Sequence, residues 1–308
     1  YPVRRTADGG IAVGFFAATS HRVLPCTDCA LQHPAFAPIV EEIRAFAAET
    51  QLPIYDEEAG SGLLRHIYLR IGEATGEIML CLVLCVDVLP HADDFVRRIR
   101  AKFPAVVSIF LNRNAEDTNV VLGRDFTLLF GKPYIEDILC GVRLRITPQS
   151  FYQVNRSAAE LLYGKAAELA ALTGRETLLD LYCGIGSIGL SMAKRAGRLI
   201  GIETVASAVE CAKENAAQNG IAHAAFYCGD ASDTQSLLKS AKAAEGDFIP
   251  DVVVLDPPRK GCTERLLADL GKMGAKKIVY ISCNPETLAR DAKFLLSDGW
   301  TMGTVYPF

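Results

Sequence analysis

The first half of the chain combines strand-like apolar runs with segments in which apolar residues recur at helical spacing. That spacing predicts helices over residues 39–50 and 94–102. Strands are predicted over residues 63–71, 77–86, 106–111 and 140–146. The first two strands are separated by residues 72–76, which begin and end in glycine and predict a hairpin. Such hairpins indicate a mixed α/β unit with a partly antiparallel sheet.

The second half changes to a regular alternation of strand and helix. Predicted strands cover residues 177–182, 198–202, 224–227, 251–255 and 277–281. Predicted helices follow the first glycine-rich turn through Lys194 and then cover residues 207–219, 235–244, 264–273 and 285–297. This alternation is typical of a doubly wound parallel sheet, in which ligands bind at the carboxyl ends of strands. Those ends carry Gly184, Glu203, Asp230, Asp256 and Cys283.

Length and composition indicate a two-domain globular protein. The 308 residues exceed one ordinary domain, so we expect a smaller mixed α/β domain over residues 1–146 and a doubly wound domain over residues 147–308. Half of the residues are hydrophobic and only 22% are charged, which excludes a disordered chain. No apolar run reaches the length of a membrane span, so we expect no membrane protein.

Net charge and cysteine content indicate the cellular compartment of the protein but not its function. The formal net charge is −4, and a net charge of this sign does not by itself indicate a nucleic-acid partner. The ten cysteines are scattered, and no signal-peptide pattern opens the chain, so we expect a reduced, cytoplasmic protein. Because the chain begins at Tyr1 and ends in an apolar run over residues 300–308, we also expect that one or both ends are missing.

The turn after the first strand of the second half is a candidate ligand site. Residues 184–189 read Gly-Ile-Gly-Ser-Ile-Gly, between a strand and a helix, and the acidic Glu203 lies about 20 residues further on. A dinucleotide site would place a pyrophosphate at the helix N-terminus and bond a ribose through the acid. An adenosylmethionine site uses the same glycine turn and the same acid. The motif alone fits both ligands, and a third interpretation is that the glycines form only a tight turn.

Two further features favour adenosylmethionine. Asp180 precedes the turn, where a carboxylate would repel a pyrophosphate but suits an amino acid that carries a sulfonium. The fourth strand ends in Asp-Pro-Pro-Arg-Lys-Gly at residues 256–261. Pro257 biases Asp256 toward extended geometry, and the two prolines together predict a rigid loop beside the ligand.

Four stretches between residues 149 and 291 carry a family resemblance. They read Gln-Ser-Phe-Tyr-Gln-Val-Asn at 149–155, Leu-Asp-Leu-Tyr-Cys-Gly-Ile-Gly at 179–186, Asp-Pro-Pro-Arg-Lys-Gly at 256–261 and Ser-Cys-Asn-Pro-Glu-Thr-Leu-Ala-Arg-Asp at 282–291. Through them the chain resembles the RNA uracil-5-methyltransferases, which form 5-methyluridine in ribosomal or transfer RNA. The first half matches more loosely, at residues 20–22 and 29–32. The resemblance implies a class I Rossmann-like methyltransferase domain, shortened at its C-terminal end and preceded by an RNA-facing domain.

The same resemblance assigns roles to individual residues. It implies that Gln153, Tyr182, Glu203 and Asp256 contact S-adenosylmethionine beside the turn at Gly184, with Asp230 near the adenine. Simpler roles compete at two of these positions, since Tyr182 could be plain core packing and Asp230 a helix cap.

Cys283 is the predicted nucleophile. Uracil C5 is too weak a nucleophile to take a methyl group unaided, but addition of a thiolate at C6 makes C5 an enolate carbon. Cys283 follows a strand and precedes the helix that begins at Pro285, whose N-terminus would stabilise a thiolate. Relatives that act on cytosine carry a cysteine in the loop after the fourth strand, where this chain has Asp256 to Arg259, so uracil is favoured. The resemblance places the general base beyond Phe308.

The partners and remaining cofactors stay open on sequence alone. Many members of the family carry an iron–sulfur cluster, and Cys29 resembles its fourth ligand, while the pair Cys26 and Cys29 alone predicts no metal site. This likeness favours 23S ribosomal RNA over transfer RNA as the substrate of a monomeric enzyme. Two other functions are an NAD-dependent oxidoreductase, which leaves residues 256–259 and 282–285 unexplained, and a non-catalytic RNA-binding module, which does not explain Cys283.

Overall fold

The computed structural model describes residues 1–26 and 29–308 and, at Glu245, the backbone only. The described chain divides into two compact units, Tyr1–Asp137 and Ile138–Phe308. None of the described helices combines the length and the hydropathy that crossing a bilayer requires. The assignment of residues 1–146 to an RNA-facing domain stays a prediction.

The first unit packs helices on a mixed sheet. Its strands are β1 (Val3–Arg5), β2 (Ile11–Phe16), β3 (Val23–Pro25), β4 (Leu64–Ile71), β5 (Ile78–Leu84), β6 (Val106–Arg113) and β7 (Asp125–Gly131). Its helices are α1 (Phe36–Glu49) and α2 (Ala92–Lys102). In the described residues, β1 to β3 form an antiparallel sheet in chain order, and β4 to β7 form a second sheet in chain order. The predicted antiparallel pairing of β4 with β5 is confirmed.

The core of this unit forms around β5, because every side chain of that strand is buried. The strand is an unbroken apolar run, which suits a central strand with both faces covered. Both helices pack on the same core, and the rings of Phe46 and Phe95 lie 5.0 Å apart in an edge-to-face contact.

The second unit follows the regular alternation of its sequence. Strand β8 (Ile135–Leu139) begins where the chain passes from one unit to the next, and it pairs with β9 (Val142–Ile146). The parallel strands are β10 (Thr177–Leu181), β11 (Arg198–Glu203), β12 (Ala224–Cys228), β13 (Val252–Leu255) and β14 (Lys277–Tyr280). The helices are α3 (Arg156–Ala170), α4 (Ser187–Met192), α5 (Ala206–Gln218), α6 (Thr234–Glu245), α7 (Glu264–Lys272) and α8 (Pro285–Ser297).

The described strands β10 to β14 form a parallel sheet with the order β12-β11-β10-β13-β14. Successive strands run outward from β10 to β12 on one side and from β13 to β14 on the other. The chain therefore reverses its direction of winding between β10 and β13, which is the topological switch point where such sheets bind ligands. The predicted fold class, a doubly wound and mainly parallel sheet, is confirmed.

Several elements have no counterpart in the pattern analysis. Strands β1 and β3 are too short to show a period, and β7 is an edge strand whose residues are mostly solvent-accessible. Strand β8 buries alternate residues, but the central buried one is Asp137, so the hydropathy does not show that period. Helix α3 buries mainly alanine, which gives a weak amphipathic signal. These elements depend on neighbours that are distant in sequence, and local hydropathy does not reveal them.

Candidate active site

The predicted site residues lie at the carboxyl ends of the parallel strands. Leu181, at the end of β10, pairs with Ile202 of β11 and with Leu255 of β13, so these three strands end at the same level. The residues that close or follow the five strands are Tyr182, Glu203, Asp230, Asp256 and Cys283. Sequence position and sheet topology together therefore place them along one edge of the sheet.

The turn after β10 is sharply bent. Tyr182 has φ of 64° and Gly184 has φ of 54°, both in the left-handed region. This conformation is easy for glycine but costs about 1–3 kcal/mol for tyrosine. The N–H of Gly184 donates to Oε2 of Glu203 at 3.0 Å, while the N–H of Val205 donates to Oε1 at 2.9 Å. A Cβ on Gly184 would meet no atom within 4 Å, so a ligand can approach this backbone closely.

Asp180 supports the turn from beneath. Its side chain is fully buried, and Oδ2 accepts a hydrogen bond from the N–H of Gly189 at 2.8 Å. A Cβ on Gly189 would lie 2.6 Å from that oxygen, so the third glycine of the motif allows α4 to approach β10. The other oxygen, Oδ1, has no hydrogen-bond partner in the part of the chain that the structure describes. A buried carboxylate oxygen without a donor indicates a place for a ligand.

The strand ends around Asp180 are strongly acidic. Burial, together with the nearby charges of Asp256 and Glu203, raises the pKa of Asp180 to about 7. Burial also raises the pKa of Asp256 to about 6. A cationic ligand would favour the ionised form of both groups. The residues present therefore fit the sulfonium and ammonium charges of the predicted cofactor, whereas they would repel a pyrophosphate.

Asp230 has a structural role in addition to any ligand contact. It caps a short 3₁₀ turn after β12, where Oδ1 accepts from the N–H of Ser232 at 2.7 Å. This hydrogen bond holds the pKa of Asp230 below its usual value. The cap predicted as the simpler role is therefore present, and the solvent-exposed carboxylate remains accessible to a ligand.

Tyr182 has the simpler of its two predicted roles, core packing, while its contact with the cofactor stays a prediction. The ring packs against the core of the second unit while the residue remains half-buried. Its hydroxyl interacts with the Cys262 thiol, and burial is the main cause that raises the pKa of Tyr182. The side chain thus lines the strand ends from the core side.

Tyr163 is a site residue that the sequence analysis missed. It is buried on α3, and its hydroxyl lies 3.3 Å from Oγ of Ser187, the first residue of α4. Burial raises the pKa of Tyr163 to about 12, and the hydroxyl also interacts with Gln153 and with the charges of Asp256 and Asp180. The buried positions of α3 are otherwise alanines. One large side chain with a polar tip in such a stripe is the signal that could have found it.

Cys283 lies in the tight turn between β14 and α8. Ile281 is still bonded to the sheet, since its N–H donates to the carbonyl of Leu255 at 2.7 Å. Asn284 caps α8 by accepting from the N–H of Glu286 at 3.0 Å, and Pro285 begins the helix. Cys283 is exposed between these two anchors. Its thiol is therefore accessible to a large substrate at the same sheet edge as the acidic cluster.

The comparison with protein families decides the relationship. The sequence model of the tRNA (uracil-5-)-methyltransferase family matches residues 113–302. The chain belongs to this family. All four stretches that carried the predicted resemblance, between residues 149 and 291, lie inside the match, and the predicted family is confirmed.

Curated proteins named as RNA methyltransferases are similar to nearly the whole chain. An uncharacterized RNA methyltransferase of Halalkalibacterium halodurans is 40% identical over 300 residues, which are 97% of this chain and 64% of the relative. One of Bacillus cereus is 39% identical over 300 residues, with the same two coverages. The chain thus spans less than two thirds of the length of these curated relatives.

A solved structure shares the arrangement of the family fold. The tRNA (uracil-54, C5)-methyltransferase of Pyrococcus abyssi, crystallised in complex with S-adenosyl-L-homocysteine, has a TM-score of 0.77 and 28% sequence identity. The similarity covers 96% of this chain and 68% of that one.

The expected iron–sulfur chemistry has no support in this chain. Cys26 and Cys29 are half-buried and flank the two residues outside the described part. Within residues 1–26 and 29–308, no group of three or more His, Cys, Asp or Glu side chains could hold a metal ion. Cys26 and Cys29 alone do not make up the ligand set of a 4Fe–4S cluster.

Proposed function

We propose that the protein containing this chain methylates C5 of a uridine in RNA, with Cys283 as the nucleophile. The observation that carries the proposal is the exposed Cys283 thiol at the same sheet edge as the acid-lined glycine turn. Membership of the uracil-5-methyltransferase family supports the reaction class. An oxidoreductase that uses NAD would place a pyrophosphate beside Asp180 and Asp256, and it gives no role to Cys283.

The proposed cofactor is S-adenosylmethionine, and the solved relative bound to S-adenosyl-L-homocysteine supports it. We assign its binding to the turn at Gly184 and to the side chains around that turn: Gln153, Tyr182, Glu203, Asp230 and Asp256. The unpartnered Oδ1 of Asp180 adds a further acceptor. When bound, the cofactor supplies a methyl group activated by its sulfonium.

The residues of this chain would activate the acceptor carbon. The thiolate of Cys283 adds to C6 of the uracil, forming an S–C6 bond, and the electrons of the C5–C6 double bond move to C5 and the O4 enolate. C5 would then bond to the methyl group as that group's bond to sulfur breaks, and the electron pair would stay on the sulfur of the leaving S-adenosyl-L-homocysteine. Removal of the C5 proton by a base and elimination of the thiolate restore the double bond. We assign the base to no residue of this chain, because the family resemblance places it beyond Phe308.

The RNA class is the finer part of the proposal. We propose 23S ribosomal RNA, because residues 29–32 resemble the branch of the family that carries an iron–sulfur cluster. Transfer RNA is a second candidate, favoured by the similarity to a transfer-RNA enzyme over 96% of this chain. In either case the target base has to leave its stack to reach Cys283. We expect the protein to be a monomer and to act in the cytoplasm.

The test is covalent trapping of the full-length protein on RNA that contains 5-fluorouridine. Fluorine at C5 cannot leave as a proton, so a uracil-5 enzyme given S-adenosylmethionine stops as a covalent complex. We expect a shifted band on a denaturing gel with ribosomal RNA and none with Cys283→Ala. Cys228→Ala is the matched control, since Cys228 is also an exposed cysteine at a strand end of this sheet, and it should trap normally.

The result also identifies the substrate class. Trapping of transfer RNA but not of ribosomal RNA would replace the proposed substrate by the second candidate. Unchanged trapping by Cys283→Ala would remove Cys283 from the mechanism. If neither RNA traps while S-adenosyl-L-homocysteine raises the melting temperature, the protein binds the cofactor but uses another acceptor.

A further inference from the structure

The first turns of α8 contact the loop that follows β13. Asn284, Thr287, Arg290 and Asp291 are spaced so that they share one face of the helix. All four hydrogen-bond to backbone groups of residues 259–262, which belong to the Asp-Pro-Pro-Arg-Lys-Gly-Cys loop at 256–262. The methyltransferase chemistry proposed above gives these four side chains no role. We call them the α8 clamp.

Two members of the α8 clamp hold the same carbonyl group. Nδ2 of Asn284 donates to the carbonyl of Arg259 at 3.1 Å. The hydroxyl of Thr287 shares its one hydrogen between that carbonyl and the carbonyl of Asn284, each 3.2 Å from Oγ1. Asn284 simultaneously caps α8 and immediately follows Cys283. The residue beside the proposed nucleophile is therefore tied directly to the loop that carries Asp256.

The other two members form an ion pair whose carboxylate is buried and whose guanidinium is partly exposed. Asp291 is 1% exposed, and its Oδ2 accepts from the N–H of Cys262 at 2.8 Å and from the hydroxyl of Tyr280 at 2.6 Å. Its Oδ1 accepts from Nε of Arg290 at 2.8 Å. Nη2 of Arg290 in turn donates to the carbonyls of Lys260 and Cys262 at 2.9 and 3.2 Å. The pair thus joins the loop, the end of β14 and α8.

In the loop at 256–262, the glycine at residue 261 leaves room for the side chains of Arg290 and Asp291. Gly261 has φ of 74°, and a Cβ at that position would lie 2.5 Å from Nη2 of Arg290 and 2.6 Å from Oδ2 of Asp291. A side chain at residue 261 would therefore displace both charged groups. Glycine is needed here for the contact and for its left-handed backbone alike.

We propose that the α8 clamp is a positioning device that fixes the loop at 256–262, and with it Asp256, relative to the thiol of Cys283. This inference rests on the proposed function, in which Asp256 and Cys283 act on the same reaction. In this role Thr287 and Arg290 are positioning residues, which contact neither substrate nor cofactor. The clamp explains why Thr287, Arg290 and Asp291 follow the nucleophile at these spacings.

Arg290 has a competing role, because an exposed guanidinium near the nucleophile could instead bind an RNA phosphate. Its side chain is 55% exposed, but its guanidinium donates hydrogen bonds to Asp291 and to the loop carbonyls. The two roles predict that substitution of Arg290 impairs different properties of the protein. A phosphate contact contributes to RNA affinity and to its salt dependence, whereas the clamp contributes to the rate once RNA is bound.

The first experiment measures the loop without using activity. Arg259 and Lys260 are exposed and offer trypsin two cleavage sites inside the clamped loop. In the full-length protein we expect Thr287→Val and Arg290→Lys each to speed cleavage at these sites roughly three- to tenfold, followed by mass spectrometry. Arg265→Lys is the matched control, because Arg265 is an exposed arginine of α7 paired with Asp233 at 2.8 Å. Its cleavage rate should equal that of the unmodified protein.

The second experiment measures the rate of covalent trapping at saturating 5-fluorouridine RNA together with the Kd for that RNA. For Thr287→Val and Arg290→Lys we expect the rate to fall roughly tenfold, since a displaced catalytic loop costs up to about a hundredfold. The Kd for RNA and the salt dependence of binding should match those of Arg265→Lys. Thr287→Val is important here because it removes a hydroxyl without changing any charge.

Several outcomes would overturn the proposal. Equal trypsin rates in all variants would mean that the contacts do not hold the loop. Faster cleavage with an unchanged trapping rate would remove the positioning role, and a weaker Kd with an unchanged rate would make Arg290 a phosphate contact. If the unmodified protein traps no RNA, the proposed function fails separately. The affinity for S-adenosyl-L-homocysteine then reports the placement of Asp256, and equal affinities in all variants would overturn the clamp.

Discussion

Two buried aspartates of the second unit are held in opposite ways. Asp291, on helix α8, has hydrogen-bond donors on both oxygens: the hydroxyl of Tyr280 and the N–H of Cys262 on one, and Arg290 on the other. Asp180, beneath the glycine turn, receives the N–H of Gly189 on one oxygen, and the other has no partner among the described residues.

This difference indicates a structural role for Asp291 and a ligand-binding role for Asp180. A buried carboxylate with donors on both oxygens stabilises the fold, because removing it would leave those donors unsatisfied. A buried carboxylate with a free oxygen and a pKa raised to about 7 is costly in the ligand-free protein. Such a cost is retained where a ligand compensates for it. The same residue type therefore belongs to the α8 clamp at one position and to the proposed cofactor site at the other.

The largest expected effect comes from exchanging each acid for its amide. In Asp291→Asn the NH₂ group faces donors whichever oxygen it replaces, so we expect a loss of about 3 kcal/mol in the free energy of unfolding. In Asp180→Asn the oxygen can stay on the N–H of Gly189 while the NH₂ takes the unpartnered position. The stability should then change by less than about 1 kcal/mol.

Urea unfolding of the ligand-free protein measures both values. If Asp180→Asn were as destabilising as Asp291→Asn, the two aspartates would not differ in how their oxygens are hydrogen-bonded. If Asp180→Asn were slightly more stable than the unmodified protein, the difference between the two aspartates would be larger than expected. The reason would be that a neutral amide removes the charge that burial disfavours.

The next effect is the pH dependence of cofactor affinity. The pKa values of Asp180 and Asp256 are raised to about 7 and about 6, and a cation favours their ionised forms. The affinity for S-adenosylmethionine should therefore rise between pH 5 and pH 8, by roughly tenfold. Asp180→Asn should weaken binding at pH 8 and flatten the rise. Isothermal titration calorimetry at several pH values is the measurement.

S-adenosyl-L-homocysteine is the control for this experiment, because it lacks the sulfonium charge and its affinity should change less with pH. The ligand-free protein should show the reverse trend. Since folding raises the pKa of Asp180 above its unfolded value, the folded state binds the proton more tightly, and this group lowers stability as the pH rises from about 4 to about 7. An affinity independent of pH would mean that neither acid faces the cation.

The smallest effect concerns Tyr163. Tyr163→Phe keeps the buried ring and removes the hydroxyl that contacts Ser187 and Gln153. We expect a loss of about 1 kcal/mol in stability and a two- to threefold loss of cofactor affinity, roughly the value of one hydrogen bond. Tyr68→Phe, in the first unit, should leave the affinity unchanged. If both variants bind alike, Tyr163 is core packing and Gln153 is placed by other contacts.

The two units differ in how far the sequence predicted them. In the second unit each strand predicted from residue 177 onward is present to within two residues, because fully buried parallel strands are continuous apolar runs. In the first unit β1, β3 and β7 were not predicted, since short or solvent-accessible strands have no distinctive pattern. Their pairing depends on partners elsewhere in the chain.

The sequence predicted the residues of the candidate site and their shared place at the strand ends, but not the hydrogen bonds that hold them. Glu203, Asp256 and Cys283 follow strands in the sequence, and the sheet brings those strand ends to one edge. Tyr163 was missed because its helix was missed. The role of Arg290 was not predicted either, because its partners Lys260 and Cys262 lie 30 and 28 residues away.

By itself the sequence determined the alternation of strand and helix in the second unit and the chemistry placed at each strand end. Both are local properties, set by the period of apolar residues and by the residue that follows each run. Only the tertiary structure decided that β10 lies between β11 and β13, and that Asp291 is satisfied while Asp180 is not. Those outcomes depend on burial and on hydrogen-bond donors contributed from distant segments, and no local pattern contains them.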